Sequence, residues 1–147
     1  MKRFLLSIIS TLGLSASASG GDNVPREGEC WSYRSRPGED RSYIAIRKIE
    51  IAPGLGEIIH ISVFGLRIPS HSSSSGFAEE AAHIPIAAEN FRASILKRLD
   101  IAAPKEPDWK EGYQMWRKDF DSGNAGVFTI PIAECVSVVE EAIQRAP

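Results

Sequence analysis

Any chemistry in this chain would have to come from its three histidines, its acids, its serines or its two cysteines. His71, Glu79, Glu80 and His83 lie within one short stretch, and imidazole with carboxylate is a donor set that suits zinc. Glu80 and His83 are spaced to share one side of a helical turn. The spacing matches no established zinc pattern, since it has neither H-E-x-x-H nor a thiolate. The neighbouring run Ser70 to Gly76 is polar and of low complexity, a poor support for a preorganised site. His71, Glu80 and His83 are the candidate metal ligands, and the expectation is that no cofactor is bound.

Nucleophilic catalysis has as little to work with. Ser70 and Ser72 to Ser75 are not set in a G-x-S-x-G elbow. His60 and His83 are the candidate bases for a small hydrolase, with no nucleophile marked beside them. The acidic pairs Glu39-Asp40, Glu79-Glu80 and Glu140-Glu141 consist of adjacent residues, which diverge on a helix or a strand. They read as solvated charge rather than acid–base dyads. Cys30 and Cys135 lack the C-x-x-C spacing of a redox or metal pair. In an oxidising compartment they are expected to form a disulfide closing nearly the whole chain. Such a loop would be stabilised by about 4–5 kcal/mol in the chain-entropy model.

Two groups of side chains have the composition of a binding surface. Trp109, Tyr113, Trp116 and Phe120 recur at helical spacing, with Arg117 beside them. Such a stripe usually belongs to a core; any exposed part would make a face for a partner or a sugar ring. Trp31 and Tyr33 alternate with Arg34 and Arg36 in a second surface of the same kind.

The address is written at the N-terminus. Lys2-Arg3 precede an uncharged run from Phe4 to Leu14, followed by Ala16-Ser17-Ala18. These are the basic, apolar and small-residue parts of a secretory signal peptide, so residues 1–18 are expected to be removed. The apolar run would span only ~16 Å as a helix, too short for a stable anchor. No cysteine follows it to carry a lipid. The expected destination is the periplasm or the medium, with no membrane span after cleavage. The net charge is −2, and loss of Lys2 and Arg3 makes it two units more negative. That balance offers no broad attraction to phosphate backbones, and nucleic-acid binding is not expected.

These groups must be positioned by what remains: a polar leader over residues 19–29 and one globular domain over 30–147. Cys30 to Arg36, Tyr43 to Ile51 and Glu57 to Phe64 read as strands, separated by turns at Pro37-Gly38 and Pro53 to Gly56. They make a three-stranded antiparallel meander. The alternation of the second strand slips near Lys48, which predicts a bulge. Ser70 to Gly76 is expected to be a mobile surface loop. The tetrad Ile84-Pro85-Ile86-Ala87 recurs as Ile130-Pro131-Ile132-Ala133, and each copy is expected to follow a short strand-like stretch and open a helix, with its proline in the first turn. One helix would carry Ala88, Phe91, Ile95 and Leu99 on a single face; another, Ile132, Val136, Val139 and Ile143. Between them, Asp108 and Glu111 have capping-box spacing and Gly123 suits the helix end.

The expected fold is α+β: a mostly antiparallel sheet, the meander plus one or two short strands, with about three helices packed largely on one face. The expected function is that of an exported, non-catalytic domain binding a protein or an envelope component, such as an inhibitor or immunity-type protein. A small envelope hydrolase, with or without metal assistance, is the alternative, and self-association is a third.

Overall fold

The structure, a computed structural model, describes residues 23–146. The expected signal peptide, residues 1–18, and residues 19–22 of the expected leader lie outside the described residues. The fold is α+β, with one five-stranded antiparallel sheet and three helices. The strands are β1 (Cys30–Tyr33), β2 (Tyr43–Ala52), β3 (Gly56–Pro69), β4 (Phe77–Ala87) and β5 (Ile95–Leu99). The helices are α1 (Ala88–Ser94), α2 (Trp109–Asp121) and α3 (Ile132–Arg145). Spatial order is β4-β3-β2-β1-β5, so the three expected strands form the centre and each later strand adds to one edge.

Alternation assigns side chains to two faces. Trp31, Tyr33, Ile44, Ile46, Ile59, Ile61, Ile84 and Ile86 enter the main core, which Phe91 of α1 and Ile132, Cys135 and Val136 of α3 cover. The opposite face carries Cys30, Ala45 and Phe64 at one end. At the other end, Ala52 and Ile58 pack under Trp116 of α2. The helices thus divide two and one between the faces.

Bulges keep this division in phase. Ile46 and Ile49 are three residues apart, yet both meet the main core, because the β2–β3 register shifts between Ile46 and Lys48. The predicted bulge is there. A second shift between Ile61 and Val63 lets Ala81 and Ile84 share the main core in the same way. At Gly65, with φ of 71°, a Cβ would lie 3.0 Å from Arg41 O, so only glycine fits the backbone approach there.

Three expectations are corrected. Cys30 and Cys135 are not bonded to each other. Cys30 points to the face opposite Trp31 and Tyr33, whereas Cys135 packs with those two residues in the main core. The sheet stands between the thiols, and no disulfide geometry can cross it.

The first Ile-Pro-Ile-Ala copy leads directly into α1, whose N-cap is Ala87, but the tetrad itself ends β4 and its proline is not in the first helical turn. Pro85 lies within β4, opposite His60. β4 is an edge strand, where a missing N–H breaks no ladder bond. Pro85 O instead accepts from Phe128 N–H at 2.9 Å, and Ala87 N–H donates to Phe128 O at 2.9 Å. The second copy does open a helix, with Pro131 as the N-cap residue immediately before α3, although only the isolated bridge at Phe128 stands where a strand was expected to precede it.

The helix expected to run through Leu99 ends at Ser94, and Ile95–Leu99 becomes β5 against β1. Pairing with β1 wins over continued helical periodicity, since Leu99 joins Cys30 on the second face.

Candidate functional site

The chemistry-bearing side chains that the fold brings together lie between α2 and the sheet. The β2–β3 hairpin sets Lys48 opposite His60 and Glu50 opposite Ile58, so Glu50 and His60 share the α2 face. β4 contributes His83. His60 Nε2 is 2.8 Å from Glu50 Oε2, and His60 Nδ1 is 2.9 Å from His83 Nε2. The two imidazoles are nearly parallel, with centroids 5.1 Å apart. Trp116 and Tyr113 each meet the His60 ring edge-on at 4.8 Å.

The helix closes the cluster from above. Asp108 caps it by accepting from Lys110 N–H at 3.0 Å, and this orients the first turn. Tyr113 O–H donates to Glu50 Oε2 at 2.8 Å and Arg117 Nη1 donates to Glu50 Oε1 at 2.7 Å. Glu50 therefore receives groups from its own sheet and from α2. Lys48 Nζ lies 5.6 Å from the Tyr113 ring centre.

Burial governs the electrostatics. His60 is completely enclosed, and desolvation holds its pKa below the ordinary histidine value although Glu50 pulls the other way. His83 is pushed down to about 4, first by burial and then by the charge of His60. Burial would raise Glu50, but hydrogen bonds from Tyr113 and His60, with the charges of His60 and Arg117, leave it below the usual carboxylate range. The cluster can therefore hold an oriented chain of neutral imidazoles ending on a carboxylate at neutral pH.

The other candidate residues lie elsewhere. His71 sits on the exposed turn between β3 and β4, beside a surface cleft lined by Pro69, Ala78 and Ile143. Glu80 is exposed on β4 opposite Phe64. Of the candidate metal ligands, only His83 belongs to the cluster. Among the described residues, no group of three or more His, Cys, Asp or Glu is placed to hold a metal ion.

Trp31 and Tyr33 are 4% and 3% exposed and belong to the main core. Their polar tips are satisfied by Glu29 and Ser42. Arg34 is exposed and donates to Ala93 O. Arg36 is held by Glu39 and Glu140 at 2.8 and 3.3 Å. Trp109 is half-buried against Tyr113. Trp116 is buried and donates from Nε1 to Gly126 O at 2.8 Å. Arg117 bridges Glu50 and Asp121.

Sequence reasoning missed two participants. Glu50 was not singled out, yet it is the hub of the cluster. Its signal was available in the hairpin: a turn at residues 53–56 brings Glu50 close to His60, a histidine set within an apolar strand that needs a partner. Glu39 was read as solvated but is 3% exposed. It accepts from Arg36 through both oxygens and from Arg67 N–H at 2.7 Å. Against burial, these contacts hold its pKa low.

No family model, no curated protein and no solved structure matches this chain.

Proposed function

We propose that the chain is an exported, non-catalytic interaction domain that takes an extended segment of a partner protein onto the edge of its sheet at β5. The observation that supports this reading is the state of that edge. β5 pairs with β1 on one side and stands last in the strand order. It contains no proline, and Leu96 is 55% exposed on it, with Ile101 49% exposed just beyond. Lys97 and Arg98 are exposed beside Leu96 on the same strand, Arg98 also pairing with Glu29 at 3.2 Å. Charged residues on an edge deter indiscriminate pairing. Here they also favour an acidic strand whose main chain completes the ladder and whose side chains meet Leu96 and Ile101. An inhibitor or immunity-type protein is one form such a domain takes.

The test uses the full chain against a displayed library of unstructured peptides. Enrichment of acidic, alternating sequences is expected, with affinity falling at least about tenfold in Leu96→Asp and in Arg98→Glu. Failure to enrich any sequence, or binding indifferent to both substitutions, overturns the reading. Export is checked separately by the mass of the secreted chain, expected to begin at Ser19.

A second reading, a small hydrolase using His83 as a base, is favoured by the chain from Glu50 through His60 to His83. On that reading His83→Ala abolishes turnover of simple esters while leaving the β5 edge unchanged.

A further inference from the structure

The polar groups beneath α2 have a fixed direction. An ionised carboxylate only accepts hydrogen bonds, so His60 Nε2 must donate to Glu50. A neutral imidazole carries one N–H, which leaves His60 Nδ1 as an acceptor. His83 Nε2 therefore donates to it. His83 Nδ1 is left as the unprotonated end of the chain, on the side packed against Gly112.

One added proton is compatible with this arrangement. It attaches to His83 Nδ1, and the proton on His83 Nε2 can then pass to His60 Nδ1. In either state each contact still has one donor and one acceptor, and the added charge is balanced by Glu50. A second proton is not compatible. Both facing nitrogens, 2.9 Å apart, would then carry hydrogens, and two cations would stand side by side with His60 fully buried and His83 half-buried.

We propose that the Glu50–His60–His83 chain is an acid-operated latch for α2, which holds the helix through one protonation and releases it at the second. The helix is fastened to this chain by Tyr113 and Arg117, both bonded to Glu50, and by the rings of Tyr113 and Trp116 against His60. The charged and titratable groups facing the pair are Glu50 and Lys48 from β2 and Tyr113 and Arg117 from α2. Lys48 and Arg117 repel added charge, and Glu50 is the carboxylate that attracts it. Release bares the sheet around Ala52 and Ile58, which Trp116 covers.

The pH window follows from linkage. The folded values of both histidines lie below the ordinary 6.5, so the unfolded chain binds more protons as pH falls. Stability from the pair is therefore intact above about 6.5 and withdrawn as pH falls toward about 4, the value for His83. Two coupled steps are expected rather than two independent titrations.

Amide exchange of the full chain, followed from about pH 7 to about 3.5 and corrected for intrinsic rates, tests the latch. Protection in α2 is expected to fall at least about tenfold more than in β2 and β3. His83→Gln keeps a donor toward His60 but cannot take a proton, and should hold α2 closed through this range. Glu50→Gln removes the carboxylate's own titration and should still open. Equal protection of α2 at both ends of the range overturns the proposal, as does opening of His83→Gln at the wild-type pH. Should that variant not fold, ring resonances of the wild-type histidines decide. Two separated steps, the second coinciding with α2 opening, support the latch; a single step near the ordinary histidine pKa overturns it.

Discussion

At Gly112 the axis of α2 comes so close to β4 that a methyl group there would lie 3.1 Å from His83 Cβ. Alanine is the better helix former by about 1 kcal/mol, which by itself would favour Gly112→Ala. His83 cannot move aside to accept it, because its backbone belongs to β4 and its ring is bonded to His60. The substitution is therefore expected to destabilise the chain by about 1–2 kcal/mol in urea unfolding, reversing the sign set by helix propensity. The same residues mark how far the sequence discloses the site. His60 and His83 were visible as candidate bases, and the aromatic stripe was visible as a helix face. Their convergence was not, because it depends on hairpin register and on bulges that turn particular side chains toward α2. Trp31 and Tyr33 show the reverse limit: alternation correctly placed them on one face but could not say that this face is the covered one.

Ser94 joins two elements at one oxygen. Its hydroxyl donates to Asn90 O at 2.9 Å, at the end of α1, and accepts from Ile132 N–H at 3.1 Å, at the start of α3. Pro131 supplies no side-chain cap, so Ser94 does this from another helix. Ser94→Ala is expected to cost about 1–2 kcal/mol, with increased amide exchange in the first turn of α3 if the bond is the cause. This cap was invisible to a reading of local motifs, because donor and acceptor lie far apart in sequence. Elements specified locally were legible: the meander with its turns, the β2 bulge, and the helix from the Asp108 cap to Gly123. The helix–strand change at Ser94 was not, since Phe91, Ile95 and Leu99 satisfy a helical pattern while Ile95 and Leu99 also meet the needs of an edge strand. Likewise, Pro85 fits a first helical turn and an edge strand equally well, and only its place beside β3 decides.

For the whole molecule, the two thiols have separate surroundings. Both cysteines are fully enclosed. Burial raises the Cys30 pKa, with Arg47 opposing it, and pushes Cys135 up to about 12. Neither is a reactive thiolate at neutral pH. A disulfide reagent is expected to leave both untouched in the folded chain and to titrate both in denaturant. The intact mass should not change on reduction. Reaction of either thiol under native conditions, at the rate seen in denaturant, would contradict this packing.

The sheet order also has a kinetic consequence. Its four other strands are joined in sequence by hairpin connections, but β5 must return from far along the chain to meet β1, pairing Arg98 with Trp31. Closing that longer loop carries an entropic cost that the hairpins do not share. The meander and β4 can therefore assemble before β5 docks, and β5 is expected to detach at lower free energy than the central strands. The edge proposed to receive a partner is thus also the last edge to be built, so an incoming strand would stabilise the final step of folding as it binds.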